Sequence, residues 1–473
     1  MRNYVSKIKF SNFVNVLREL LEWRYFPFIT AVVTLSCYYI GWDLVTIYFI
    51  CLTVGAMLLL LKDLTPVIPQ FLFMNVMISM QNSPLNFGEI VGSDFYTRIE
   101  NLVIIGIAVC FLAGTMIYRI VALGKAKTFR PNLIFWSLCV LSASFIFNGV
   151  GSADYTVKNL LYGLLLSFLF LVVYVLLSSQ VELTEENYVK IGVGFLAFSS
   201  LLFIELALKY AVDYEKIYAS GTLDKQQIIM GWGVWNNCGT FFSICVAPVM
   251  LMASKSKRGY LYLIYAAVLV ACAFFTGSRQ AMLGSSFAFG LCSVALMVKS
   301  RTRLVNAIIL AVMAVAGIIL VIVYREKVLA FIDKIMQNVF NDDGSYSGGG
   351  RMRLIKLAIE YFKSNPVFGS GFFSPFESFE LTGITNTLFP TFAHNTFAEI
   401  LGTCGLFGII SYLGYRVITI IGFFRKPTQN KFYIAACILT LLLICMLDNY
   451  IFYLLPTLIY STLIPFATGK QKN

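Results

Sequence analysis

The chain has 473 residues, 59% of them hydrophobic and 13% charged, with a mean hydropathy of +0.79 and a formal net charge of +12. That balance excludes a soluble globular enzyme and predicts an integral membrane protein of the all-α class. The basic excess, which in a soluble chain would suggest nucleic acid, has here to be assigned first to one side of a bilayer, and no nucleic-acid partner is expected.

A helical span needs about 20 mostly apolar residues because lipid offers backbone amides no partners. Residues 1–24 form a basic cytoplasmic leader, in which 10–24 suit an amphipathic helix on the inner leaflet with Phe13, Val14, Leu17, Leu20 and Leu21 on one face, or else an ordinary solvated segment. No cleavable signal peptide is expected, because this leader runs into a full span. Fourteen spans follow, at 25–41, 44–61, 64–80, 101–119, 132–148, 159–179, 189–210, 237–254, 259–275, 280–298, 304–324, 396–424, 431–447 and 450–467. The third carries Pro66, Pro69 and Asn75. In the seventh, Gly192-x-Gly194-x-x-Ala197 has the spacing of a dinucleotide fingerprint but no preceding strand, so it reads as coincidence. Glu205 and Lys209 near its end are spaced as a self-shielding pair. The eleven cysteines fall mostly inside spans with no C-x-x-C, so they read as small buried apolar residues.

Orientation follows from the basic connections. Arg2, Lys7, Lys9, Arg18 and Arg24, then Lys125, Lys127 and Arg130, Lys255, Lys257 and Arg258, Lys299, Arg301 and Arg303, Arg425, Lys426 and Lys431, and Lys470 and Lys472 all fall on one side if fourteen spans begin with the N-terminus inside. Both termini are then cytoplasmic, and the connections 211–236 and 325–395 are external. The membrane domain accordingly divides into spans one to eleven at 25–324 and spans twelve to fourteen at 396–473, around one long loop. Arg279, Arg351 and Arg353 then lie outside and break the positive-inside pattern.

Within the loop, Met352, Ile355, Ile359 and Phe362 recur at helical spacing, so a short amphipathic helix begins near Arg351 and stops at Ser364-Asn365-Pro366. An aromatic stretch with Phe372, Phe373, Phe376, Phe379, Phe389 and Phe392 leads to His394, the one histidine, just before the next span. Those aromatics suit either a sugar or lipid groove or interfacial packing. Arginine holds phosphate oxygens bidentately and stays charged at every accessible pH. Arg279 stands in the tight turn Thr276-Gly277-Ser278-Arg279-Gln280, where Gly277 permits close backbone approach. An imidazole near neutrality suits general-base work. Taken singly, each has an ordinary reading: a juxtamembrane arginine contacts headgroups, a lone histidine satisfies a hydrogen bond, and Gly348–Gly350 is a flexible linker.

Their order changes the weighing. The turn with Arg279, the loop from Arg351 through Asn365-Pro366-Val-Phe-Gly369-Ser-Gly371, and His394-Asn395-Thr-Phe-Ala-Glu399 continuing to Gly405 and Gly408 resemble the O-antigen ligase and polymerase superfamily, over about 230–424. The resemblance implies a GT-C-like membrane glycosyltransferase using no metal or other cofactor. Its donor and acceptor would be undecaprenyl-diphosphate-linked oligosaccharides at the outer face of the bacterial cytoplasmic membrane. It further implies that Arg279 and Arg351 hold the diphosphate and that His394 activates the acceptor hydroxyl, with Arg353, Asn395 and Asn237 as further substrate-binding residues. A tryptophan frequent in the family four residues after the arginine is Ile355 here. A repeat-unit polymerase is expected, with a chain-length regulator and a flippase as partners. The alternatives are a ligase transferring glycan to lipid A core, a protein-glycosylating relative, and, among non-enzymes, a lipid-linked oligosaccharide flippase or transporter. The sequence supports no D-x-D metal motif and no Walker A phosphate loop.

Overall fold

The computed structural model describes residues 2–79, 99–121, 129–153, 155–218, 223–230, 233–298, 302–326, 329, 349–373, 395–425, 427–448 and 454–469. Among the described residues twelve α-helices precede the long loop: α1 (Arg2–Glu22), α2 (Phe26–Ile40), α3 (Asp43–Leu60), α4 (Val67–Ser79), α5 (Ile99–Val121), α6 (Leu133–Ile146), α7 (Val157–Gln180), α8 (Glu185–Ile217), α9 (Trp235–Lys255), α10 (Gly259–Phe275), α11 (Arg279–Val298) and α12 (Arg303–Val323). α13 (Gly349–Ser364) lies within the loop, and α14 (Thr396–Phe424), α15 (Gln429–Cys445) and α16 (Leu454–Thr468) follow it. The described parts of the fourteen apolar stretches lie on helices, because a continuous apolar run can satisfy its backbone only within itself. Five of them, α7, α8, α9, α11 and α14, are long and apolar enough to cross a membrane by length and composition. Among the described residues the β-structure is a short antiparallel ribbon, Ile229–Met230 (β1) against Gly233–Val234 (β2), in the connection between α8 and α9.

The ends of the helices are set by local chemistry. Asn132, Thr184 and Thr428 accept from Phe135 N (2.9 Å), Asn187 N (3.3 Å) and Lys431 N (3.4 Å) at the starts of α6, α8 and α15, covering amides that have no partner in a first turn. α1 begins at Arg2, before the stretch 10–24 that suits an amphipathic helix, and its faces divide differently from the expected stripe. Leu17 and Leu21 pack on the core, while Phe13 and Leu20 are exposed.

α9 is apolar all round and forms the centre, packed against α8, α10, α11 and α15. The Gly192-x-Gly194 spacing is a packing seam. A Cβ at Gly192 would lie 2.7 Å from the Met252 sulfur on α9, and one at Gly194 would run into Pro69 on α4. All eleven cysteines are free, nine of them buried; Cys110 is exposed.

The expected single span at 396–424 is in fact broken. Gly405 has φ 63° and ψ −157°, a conformation essentially restricted to glycine. Leu406 and Phe407, which would donate to residues 402 and 403 in an unbroken helix, donate instead to Pro366 O (2.9 Å) and Val367 O (3.1 Å). The released carbonyls of Gly402 and Thr403 accept from Ser370 N (2.9 Å) and Gly371 N (3.0 Å). The loop segment thus plugs the break, and no backbone group at these positions is left unpaired. The bend brings the Phe397 ring to 5.9 Å from that of Tyr412.

The same segment is fastened to the α6–α7 connection. Gly149 N donates to Phe368 O (2.9 Å), Asn365 Nδ2 to Val150 O (3.1 Å), Phe372 N to Asn148 Oδ1 (3.0 Å) and Phe373 N to Asn159 Oδ1 (2.8 Å).

Candidate active site

α10 ends at Phe275, and the chain reverses through Thr276, Gly277 and Ser278 into α11, which opens with the half-buried Arg279. Gly277 has φ +68°, and its amide donates to Phe274 O at 2.9 Å. A side chain there would meet Lys225 Cβ at 2.8 Å and Leu223 at 3.2 Å. The close approach this glycine allows is therefore made by residues 223–225, in the space where a ligand was expected.

Three further elements reach this turn. The first turn of α9 lies against it: a Cβ at Gly239 would stand 2.7 Å from Thr276 Oγ1 and 3.1 Å from Ser278 Cβ, which places Asn237, half-buried two residues earlier, next to the turn. Lys225 Nζ sits 5.5 Å from the ring centroid of Trp235, the first residue of α9. From the other side, Gln280 Nε2 donates to the buried Asp448 Oδ2 at 3.3 Å, just beyond α15. Asp448 in turn accepts from Thr396 Oγ1 through its backbone carbonyl (3.3 Å), and the same hydroxyl lies 2.7 Å from Cys445 O.

Asn395 completes that junction. Its Oδ1 caps α14 by accepting from Phe397 N and Ala398 N, both at 3.0 Å, while its Nδ2 donates to Met446 O at 2.9 Å. The Asn395 amide is thus spent on holding α14 against the end of α15, a structural duty in place of the substrate contact expected of it. His394 lies outside the described residues, immediately before this cap.

Arg351 and Arg353 lie in the first turns of α13, whose backbone is described there while these two side chains are not. Leu354 and Ala358 of α13 share an apolar cluster with Ala398 of α14, Ala358 also meets Gly402, and Pro366, just past α13, meets Leu406. Residue numbers rise together along both helices, so α13 and the first half of α14 run parallel. One turn back from Leu354 and Ala398, Arg351 is level with Asn395. Ile355 packs against this cluster. Gly349 and Gly350 belong to the helix rather than to a flexible linker.

The amino ends of α9, α11, α13 and α14 therefore share one end of the molecule. Their helix dipoles favour an anion there, which suits a phosphate group. Sequence reasoning missed Gln280, Asp448, Asn148 and Asn159. The only signal for Asp448 was an acid interrupting an apolar run. Phe372 is fully buried against Phe145 and Tyr162, so it packs the core rather than lining a groove, whereas Phe376, Phe379, Phe389 and Phe392 lie outside the described residues. Lys209 Nζ binds Asp213 at 2.6 Å, and Glu205 accepts from Tyr39 at 2.7 Å.

Residues 264–413 match the family model described as O-Antigen ligase. This match supports the O-antigen ligase/polymerase superfamily for the region that carries it. The matched region runs from within α10, across the Arg279 turn and α13, to the second half of α14, so it contains Arg279, Arg351, Arg353, His394 and Asn395 and leaves Asn237 outside. Together with the apolar helices, the match supports a multi-pass membrane enzyme of O-antigen ligase/polymerase type. Comparison with curated proteins finds no match.

Proposed function

We propose that this superfamily member is a repeat-unit polymerase of the bacterial inner membrane, with its site on the outer face and both termini inside. The acceptor hydroxyl of an incoming lipid-linked unit attacks the anomeric carbon of the growing glycan. The bond from that carbon to the diphosphate breaks, and undecaprenyl diphosphate leaves with its electron pair. His394 takes the hydroxyl proton. Arg279 and Arg351 hold the diphosphate and stabilise its growing charge, work that in other transferases falls to a divalent metal.

One observation carries this reading: the Gln280–Asp448–Thr396 connection, which joins the helix beginning at Arg279 to the helix preceded by His394. Parallel packing of α13 brings Arg351 to the same end. A ligase would share the donor site and differ in its acceptor. The test is reconstitution with a purified lipid-linked repeat unit and separation of products by size, with and without EDTA. A ladder that persists in EDTA supports the metal-free polymerase. A single transfer, seen only when lipid A core is supplied, would make the chain a ligase.

A further inference from the structure

At the end of α14 remote from Asn395 lies a cavity of about 410 Å³, a size typical of small-molecule sites. Its polar wall is Asn132, Tyr174, Ser178, Thr468 and Arg425, and the rest of the lining is mainly aliphatic. Asn132 and Tyr174 bond each other at 3.0 Å, and the buried Lys431 donates to Arg425 O at 3.1 Å, fixing the backbone that carries the guanidinium. No carboxylate lines the cavity. Glu182, between the lining residues Val181 and Leu183, turns instead to a neighbouring cavity beside Asp63. Among the described residues Arg425 forms no ion pair, and Arg130, exposed two residues before Asn132, adds a second cation nearby.

Two features specify an amphiphile in preference to a free anion. Leu133 and Ile421, lining residues 67% and 62% exposed, offer apolar surface beside the polar wall. Gly405 and Arg425 are twenty residues apart on α14, about 30 Å of helix and about one bilayer core, which puts the guanidinium at the opposite membrane surface. We propose that this cavity binds one anionic glycerophospholipid of the leaflet opposite the active site, its phosphate on Arg425 and its first acyl methylenes against Leu133 and Ile421. The lipid would brace α6, α7, α14 and α16 where they meet.

The test uses the delipidated full chain in detergent, titrated with phosphatidylglycerol or phosphatidylcholine and read by native mass spectrometry. Wild type should retain one phosphatidylglycerol and bind phosphatidylcholine about tenfold more weakly, and Arg425→Gln, which removes the charge from an exposed position, should erase that difference. Ser178→Phe, which fills the cavity and keeps the charge, should weaken both lipids. Equal retention of the two lipids by wild type would mark an unselective annular contact and overturn the proposal, as would phosphatidylglycerol binding unchanged in both variants. Displacement of the bound lipid by inorganic phosphate at equal concentration would show a plain anion site and overturn it too.

Discussion

Gln280 donates to the Asp448 carboxylate at 3.3 Å, and through this bond the turn that carries Arg279 is held to the junction capped by Asn395. Both partners are buried, so neither can exchange the bond for water. Gln280→Met keeps the volume and removes the donor. The expected outcome is a folded protein whose transfer rate falls about ten- to hundredfold, the scale of a misplacement near 1 Å in a reacting pair. Donor affinity should change less than turnover. A transfer rate equal to wild type would show that the bond does not position the site.

The plug at Gly405 makes a prediction about stability. Gly405→Ala would place a Cβ 2.6 Å from the Val367 carbonyl carbon in a backbone region that alanine avoids, and Gly369→Ala would run into the backbone of Thr403. Strain alone should cost about 1–3 kcal/mol at Gly405, with the clash added. Gly414, on the same helix with open space around it, is the control, and its alanine variant should be neutral or slightly stabilised. Thermal unfolding in detergent compares the three.

The outline of this fold was legible because a bilayer leaves a long apolar run only one conformation, and the described parts of these stretches lie on helices. The break in α14 was not, since its cause lies about forty residues upstream: the amides that open the second half find their partners at Pro366 and Val367. Gly369 and Gly371 were visible as a motif, but their reason, backbone meeting backbone, is a tertiary fact. Lys209 has an acid four residues to either side, Glu205 and Asp213, and spacing alone did not show that it bonds Asp213 or that the Tyr39 hydroxyl donates to Glu205. At the candidate site, Arg279 and Arg351 were found by residue type and order. Asp448 was hidden because nothing local says that it reaches Gln280.

Asn148 in the α6–α7 connection and Asn159 in the first turn of α7 accept from amides of the plug, Asn148 from Phe372 and Asn159 from Phe373. Asn159→Leu leaves the Phe373 amide without this acceptor, a loss of about 1–3 kcal/mol. Asn159→Asp retains an acceptor and should recover part of the stability. Equal damage by both, measured by thermal unfolding, would assign the effect to packing alone.

Arg416 is buried in the second half of α14, with its guanidinium carbon 4.4 Å from the ring centroids of Tyr412 and Tyr460 and 5.2 Å from that of Tyr415. Among the described residues none of its three nitrogens makes a geometrically sound hydrogen bond. Cation–π attraction of about 2 kcal/mol falls short of the several kcal/mol that burying a charge costs. Arg416→Met, which fills similar space, should therefore leave stability unchanged or raise it, while Arg416→Ala should lower it by about 2–4 kcal/mol through the cavity it opens. Equal loss from the two would show that the cation itself stabilises the protein.

The central claim is that Arg279 and Arg351 grip a lipid diphosphate beside His394 acting as base. It is tested most directly by single-turnover glycan transfer together with donor-lipid binding in reconstituted wild type, Arg279→Ala, Arg351→Ala and His394→Ala. The account predicts that His394→Ala binds donor like wild type and transfers no glycan, whereas either arginine variant loses both binding and transfer. Transfer by His394→Ala at the wild-type rate, or donor binding undiminished in both arginine variants, would contradict it.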